Sequence, residues 1–175
     1  EIFDLANSLN LMGANIKGAG TNQIKIEGVS KLNKSSYSVM SDRIVAGTYI
    51  IAAVMLNKKF EVKKINSQYL KALIDLLKKM GANLIIKKNS IIILPSKKLS
   101  ASKIETKPYP GFPTDLQAQI MVLMTKANGI SKIKENIFEK RFMHVPELNR
   151  MGAKIKIFGG SSFIYGPQQL NGAEV

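Results

Sequence analysis

The sequence predicts a mixed α/β fold made by repeating one unit, and two features carry that expectation. First, the tripeptide Met-Gly-Ala recurs at 12–14, 80–82 and 151–153, at intervals of 68 and 71 residues. Each copy follows a helical pattern and precedes two short β-like runs joined by a turn. Second, an acid, an apolar helix, a polar turn and a strand follow one another twice, over 42–65 and 115–137. Joined, the modules read helix–strand–helix–strand–strand. The chain then holds the back half of one unit (1–41), a second unit (42–106) and most of a third (107–175). Helices that alternate with strands, which then close as hairpins, give mixed sheets. A domain boundary can fall only between units, and "VMSDR" near residue 41 is the best place for it.

Taken in order, "ANIKGA" and "QIKIEG" form the first pair of strands. The "GAGTNQ" stretch between them (18–23) lacks the Lys-Ser/Thr of a phosphate loop and reads as a hairpin turn. Asp42 then stands at the mouth of an apolar helix whose run, Ile44 to Leu56, is thirteen residues long. That length suits a buried helix and is too short to cross a bilayer. In the next helix Leu70, Leu73, Ile74, Leu77 and Met80 share one face. "NLIIKK" and "SIIILP" follow as strands. The third unit opens on a loop stiffened by Pro108, Pro110 and Pro113, continues as a helix and a strand, and closes with "AKIKIF", a "GGSS" turn and "SFIYG". In every Met-Gly-Ala the glycine sits where a helix must end in the left-handed conformation that a Cβ disfavours. The alanine after it permits close packing of helix on sheet.

Composition narrows the chemistry. With no cysteine and one histidine, His144, the chain has no thiolate nucleophile, no disulfide and no multi-histidine metal site, and no cofactor is implied. The net charge of +14 invites a nucleic-acid reading. Against it, the basic residues are 23 Lys and only 3 Arg, whereas readers of bases and phosphates favour arginine for its bidentate fork. The lysines are scattered in pairs beside turns, as solvated surface; a small anionic substrate would still feel their field. No signal peptide is legible, and the chain opens without Met and without a helix cap, so it is expected to be a piece of a longer polypeptide.

Two segments offer sites. In "KPYPGFPTDLQAQ" (107–119), Thr114 or Asp115 can cap the helix that follows. Alternatively the rigid loop, with Gly111 admitting a ligand closely, holds the Asp115 carboxylate as a base: a helix N-terminus favours the anion, which can accept a hydroxyl proton. In "KENIFEKRFMHVPEL" (134–148), Arg141 is an arginine kept where lysine is abundant. That suits a planar anion such as carboxylate or phosphate, or equally an Arg–Glu pair. His144 serves the start of the helix beside Pro146. Asp42-Arg43 repeats the acid-before-helix arrangement, with capping as its main role.

The segments "MGANIKGAGTNQIKIEGV", "DRIVAGTYIIAA", "PYPGFPTDLQAQ", "IFEKRFMHVPELNRMGA" and "LNGAEV" closely resemble the UDP-N-acetylglucosamine 1-carboxyvinyltransferases of the enolpyruvyl transferase family, collinearly over essentially the whole chain. The resemblance implies two domains, each an inside-out α/β barrel of three units, with the active site in the cleft between them. Residues 1–41 would be the end of the first barrel and 42–175 about two units of the second, incomplete as given. It implies transfer of enolpyruvyl from phosphoenolpyruvate to the 3-hydroxyl of UDP-N-acetylglucosamine with release of phosphate, the first committed step toward peptidoglycan, in a bacterial cytoplasm. By the same resemblance Asp115 is the base beside the sugar hydroxyl, and Ile137 contacts the nucleotide largely through its backbone. Arg141 faces the phosphoenolpyruvate anion, Thr114 and Phe138 are neighbours of the substrates, and Asp42 and Arg43 lie near the interdomain crossover. The implied partners are the two small substrates and the rest of the same chain, with no nucleic acid, membrane or metal.

Two positions depart from the family pattern ETIFENR: here it is ENIFEKR, with Asn136 and Lys140. Lys140 adds charge beside Arg141 and could alter its pairing. The family's cysteine loop, its amino-terminal Lys-Asn pair and its late arginines have no counterpart, so these residues alone should not turn over. The alternatives are a related enolpyruvyl transferase with another acceptor and a non-catalytic polyanion-binding repeat protein. Salt-dependent DNA binding with no response to UDP-sugar would mark the latter.

Overall fold

The structure, a computed structural model, describes residues 1–174. These form two compact units, divided between Ser41 and Asp42.

In the first unit α1 (Ile2–Leu11) leads into a two-stranded antiparallel hairpin, β1 (Asn15–Lys17) and β2 (Lys25–Glu27), paired Ile16 to Ile26. The turn between them is the expected hairpin. Thr21 Oγ1 donates to the Gly18 and Gln23 carbonyls, and a Cβ on Gly18 (φ 74°) would come within 2.3 Å of the Gln23 oxygen. The following segment returns to α1, where the Tyr37 hydroxyl (2.7 Å) and the Met40 N–H (3.3 Å) donate to Asp4.

In the second unit α2 (Arg43–Leu56) and β3 (Phe60–Lys63) are followed by a 3₁₀ turn (Ser67–Leu70), α3 (Lys71–Lys79), β4 (Asn83–Ile86) and β5 (Ser90–Leu94). A short strand β6 (Lys103–Glu105) precedes a second 3₁₀ turn (Thr114–Leu116) and α4 (Gln117–Met124). β7 (Gly129–Lys134), α5 (Val145–Arg150), β8 (Ile155–Phe158) and β9 (Ser161–Gly166) complete it. The expected helix–strand–helix–strand–strand order is present twice, and the sheets share one topology. β5 lies between β3 and β4, and β9 lies between β7 and β8, all antiparallel neighbours. β6 was not expected. It pairs parallel to β7, Ile104 opposite Ile133, and so adds a fourth strand to the second of these sheets.

The core lies between the helices and the inner faces of the sheets. α4 buries Gln117, Ile120, Met121, Leu123 and Met124, positions on several sides of the helix, as an interior helix must. α2 packs on it, and Gly47 permits the approach: a Cβ there would meet Leu116 Cδ1 at 2.6 Å. The expected face of the third helix is buried throughout, from Leu70 to Met80. Each such side chain contributes roughly 1.5–3 kcal/mol of transfer free energy. The strands alternate; β5 and β9 turn Ile91, Ile93 and Ile164 inward. With helices inside and sheets outside, this is the inside-out arrangement. Among the described residues the sheets do not close into a barrel.

All three Met-Gly-Ala segments terminate their helices in one way. Gly13, Gly81 and Gly152 have φ of 97°, 94° and 98°. Their N–H groups donate to the Asn10, Lys78 and Asn149 carbonyls, and the alanine N–H groups to those of Leu9, Leu77 and Leu148. This pair of bonds is the Schellman motif.

Candidate functional site

β7 positions the site. Its alternation turns Ser131 and Ile133 inward, and the next inward position, just past the strand, is Glu135, only 8% exposed. A buried carboxylate requires donors, and Glu135 has four. Oε1 accepts from Thr106 Oγ1 (2.7 Å), the Ile137 N–H (2.9 Å) and the Phe138 N–H (3.3 Å); Oε2 accepts from Thr114 Oγ1 (3.0 Å). The Thr106 hydroxyl in turn accepts the Asn136 N–H at 2.9 Å, and the Asn136 side chain donates to the Thr106 carbonyl at 3.3 Å. Burial by itself would raise the pKa of Glu135. The bonds from Thr106, Ile137, Phe138 and Thr114 outweigh burial and hold it below its ordinary 4.5.

The proline loop is closed by its own backbone. Lys107 N–H donates to the Phe112 carbonyl (3.0 Å) and Gly111 N–H to that of Pro108 (2.8 Å), and the Tyr109–Pro110 peptide is cis, as in a type VI turn. A Cβ on Gly111 would sit 2.4 Å from Lys107 Cβ and 3.0 Å from the Pro108 oxygen. The turn itself therefore requires the glycine, a reason for Gly111 separate from the expected close approach of a ligand. Arg43 holds the loop from the other side, its Cζ 5.5 Å from the Tyr109 ring centre.

The capping expectation for Thr114 and Asp115 is also corrected. The chain enters α4 through a 3₁₀ turn in which the Leu116 N–H donates to the Pro113 carbonyl (3.1 Å), and no side chain caps either helical segment. Both side chains have other partners. Thr114 donates to Glu135, and Asp115 Oδ1 accepts from Arg141 Nη2 at 3.2 Å. Asp42 does cap its helix, accepting from the Ile44 (2.7 Å) and Val45 (3.0 Å) N–H groups.

The Asp115 and Arg141 side chains are 55% and 41% exposed. A single-bond pair in that setting contributes at most about 1 kcal/mol. Phe138 lies under the guanidinium, with Cζ 5.2 Å from the ring centre. Of the five donors on arginine, one meets Asp115, and a planar anion can engage others in fork geometry. Arg141 and the whole 135–143 segment line an open groove of about 680 Å³, closed on its far side by Ile157, Gly159 and Gly160. His144 follows, half-buried. Burial first, and the Arg141 charge second, push its imidazole below the usual value. It stands at the N-cap of α5, as expected, its carbonyl accepting the Leu148 N–H at 3.0 Å; its side chain makes no capping bond, and among the described residues its buried Nε2 has no partner.

The structure thus gathers Thr114, Asp115, Ile137, Phe138 and Arg141 around Glu135, while Asp42 and Arg43 stand outside the cluster. The Ile137 N–H is taken up by Glu135. Sequence reasoning passed over Glu135 and Thr106. The signal was present in "ISKIKE", where period two carries an acid onto the buried face. Among the described residues no cluster of three His, Cys, Asp or Glu side chains is suited to a metal ion.

The family described as EPSP synthase (3-phosphoshikimate 1-carboxyvinyltransferase) matches residues 1–175. A UDP-N-acetylglucosamine 1-carboxyvinyltransferase from Pelagibacter ubique is 52% identical over 175 residues, 100% of this chain and 42% of that protein. One from Halothermothrix orenii shows the same identity and coverage. The chain thus spans less than half the length of these curated relatives. Among solved structures, the enolpyruvyl transferase NikO from Streptomyces tendae superposes with a TM-score of 0.84 at 24% identity, covering 96% of this chain and 40% of that one. EPSP synthase from Acinetobacter baumannii gives 0.57 at 15% identity, covering 97% and 40%. These two likenesses concern the fold. On the family match over its whole length, the chain belongs to the EPSP synthase (3-phosphoshikimate 1-carboxyvinyltransferase) family of enolpyruvyl transferases.

Proposed function

We propose that this chain is the part of a UDP-N-acetylglucosamine 1-carboxyvinyltransferase that carries the base and one anion-binding arginine. The observation that carries the reading is the Asp115 carboxylate held 3.2 Å from Arg141 beside the groove, in a chain about half identical to enzymes of that name. Asp115 accepts the proton of the sugar 3-hydroxyl. The freed oxygen forms a bond to C2 of phosphoenolpyruvate while the C2–C3 double-bond electrons take a proton onto C3 from an acid on the rest of the polypeptide. Loss of a proton from C3 then re-forms the double bond as the bond from C2 to the phosphate oxygen breaks, and phosphate departs. Arg141 attracts the carboxylate or phosphate of phosphoenolpyruvate and in doing so releases Asp115 to the hydroxyl. The Ile137 carbonyl meets the nucleotide, with Thr114 and Phe138 beside the substrates. No metal or cofactor enters this scheme.

In this reading residues 1–41 end one barrel domain, 42–175 supply about two units of the next, and Asp42 and Arg43 mark the crossover. The rest of the polypeptide completes both domains and supplies the acid and the remaining phosphoenolpyruvate ligands. α1 exposes Ile2, Phe3, Leu5 and Leu11, apolar side chains that this remainder would cover. No helix of the described residues is long and apolar enough to cross a membrane, and we place the reaction in a bacterial cytoplasm, where both anionic substrates are dissolved.

The test uses the complete polypeptide. Phosphate release should require phosphoenolpyruvate together with UDP-N-acetylglucosamine and should not occur with 3-phosphoshikimate as acceptor. Asp115→Ala should lower turnover by about 100-fold or more, in the range of general-base loss, with an almost unchanged melting temperature because no cap is removed. Turnover with another acceptor, or a full-rate Asp115→Ala enzyme, would refute the assignment.

A further inference from the structure

The function proposed above needs Asp115 and the 137–141 segment in a fixed relation, yet the direct link between them is one exposed ion pair. That pair cannot hold geometry in water, where each side chain is free to exchange its partner for solvent. A second link lies beneath it. Thr114, the immediate neighbour of Asp115, is bonded to one oxygen of Glu135, and the backbone of Ile137 and Phe138 is bonded to the other. The same carboxylate is anchored from below by Thr106, which is fully buried, and by the Glu135 N–H donating to the Gly160 carbonyl at 2.9 Å.

We infer that Glu135 is the positioning residue of this active site, an inference that rests on the proposed transferase function. Its two oxygens tie the turn that carries Asp115 to the segment that presents Ile137, Phe138 and Arg141. The physical argument is one of directions. Oε2 faces the proline loop and Oε1 faces the chain leaving β7, so a displacement of either segment breaks bonds to a shared, buried acceptor. Such charge-assisted bonds are roughly twice as strong as neutral ones and tolerate little misalignment. Two loops that would otherwise move independently thereby move as one body. The groove rim, the guanidinium over Phe138 and the carboxylate at Asp115 are set by that body, and Glu135 acts on them from an almost fully covered position. The catalytic carboxylate is exposed and its support is buried.

Steady-state kinetics of the complete enzyme, with thermal melting in parallel, tests this. Thr114→Val keeps the shape of the side chain and deletes only its bond to Glu135. It should lower kcat by about 10- to 100-fold, the scale of an ångström-sized misplacement, with the KM for phosphoenolpyruvate little changed and the melting temperature lowered by only a few degrees. Thr114→Ser keeps the hydroxyl and should restore kcat to near wild type. Glu135→Gln still offers an oxygen to Thr106, Ile137 and Phe138, and the Thr114 hydroxyl can turn to accept from its amide, so kcat should stay within a few-fold of wild type. Glu135→Ala should lose at least as much activity as Thr114→Val if it folds; should it not fold, the Thr114 pair decides. In single-turnover assays the Thr114→Val loss should vanish in an Asp115→Asn background, because the hydroxyl acts through Asp115. A Thr114→Val enzyme at wild-type kcat, equal losses in Thr114→Val and Thr114→Ser, or a loss that persists without the Asp115 carboxylate would each overturn the inference. A wild-type enzyme without turnover overturns the proposed function, and this inference falls with it; a working wild type with indifferent variants overturns the inference alone.

Discussion

Lys140 stands in the left-handed region with φ 54°, a conformation in which a Cβ costs about 1–2 kcal/mol. Asparagine, the residue that the resembled pattern carries there, tolerates it far better. Lys140→Asn should therefore stabilise the protein by up to about 1 kcal/mol, read as a higher denaturation midpoint at unchanged slope. An unchanged or lower midpoint would mean that the lysine side chain compensates for its backbone. In the sequence this position stood out for its charge beside Arg141, while its backbone demand was invisible because no turn signal other than the missing asparagine marks it. Asp115 had the opposite history. Sequence identified the residue but left two roles open, and the capping role disappeared once Arg141 and Glu135 were seen to hold its neighbourhood. Which acceptor a side chain finds across 26 residues of chain is a tertiary fact that no local rule reaches.

At the scale of the element, the Met-Gly-Ala segments show what a repeat makes legible. The glycine conformation and the strand hairpin behind it follow from residue type, and all three copies obey. A further feature of the copies is silent in the sequence. The carbonyls of Met12, Met80 and Met151 each accept a backbone N–H from the chain returning past the hairpin, from Asn33 (2.7 Å), Ser100 (2.8 Å) and Asn171 (2.8 Å). Backbone donors leave no compositional trace. A last feature is present in two copies. Asn10 clamps Ile16 by two bonds, amide to carbonyl (2.8 Å) and N–H to amide oxygen (2.9 Å), and Asn149 clamps Ile155 likewise at 3.1 and 3.0 Å. The middle copy has Lys78, which can donate but not accept. Lys78→Asn should install the clamp on Leu84 and raise stability by about 1 kcal/mol. A melting temperature that does not rise would show the clamp to be particular to the outer copies.

At the scale of the molecule, two titratable groups, buried Glu135 and half-buried His144, push stability in one direction. His144 has a lowered pKa in the folded state, so between its folded value and the unfolded 6.5 only the unfolded chain binds the proton. Its contribution is complete above pH 6.5 and is lost as the pH falls through the folded value. Glu135 behaves alike lower down: its contribution is complete above 4.5 and is lost as the pH falls through its lowered folded value. The groups that face His144 include the Arg141 guanidinium, which penalises a second positive charge. The melting temperature should therefore decline in two stages on acidification, and His144→Gln should flatten the first stage while leaving the second. A first stage that survives the substitution would assign it elsewhere. The doubled sheet topology was within reach of the sequence because both copies show the same pattern of apolar runs. β6 was not, since a three-residue strand carries too little periodicity to separate it from a loop.

That short strand has a consequence for how such chains can be recombined. By sequence, residue 106 closes the second repeat, and a chimera spliced there would look like an exchange of whole modules. In space, β6 is already the edge of the next sheet, paired to β7, and Thr106 just beyond it anchors Glu135. A transplanted module that begins at 107 arrives without its outer strand and without the floor of its own site. The inheritable segment begins before Ser100, whose bridge to Asn128 opens that parallel pairing.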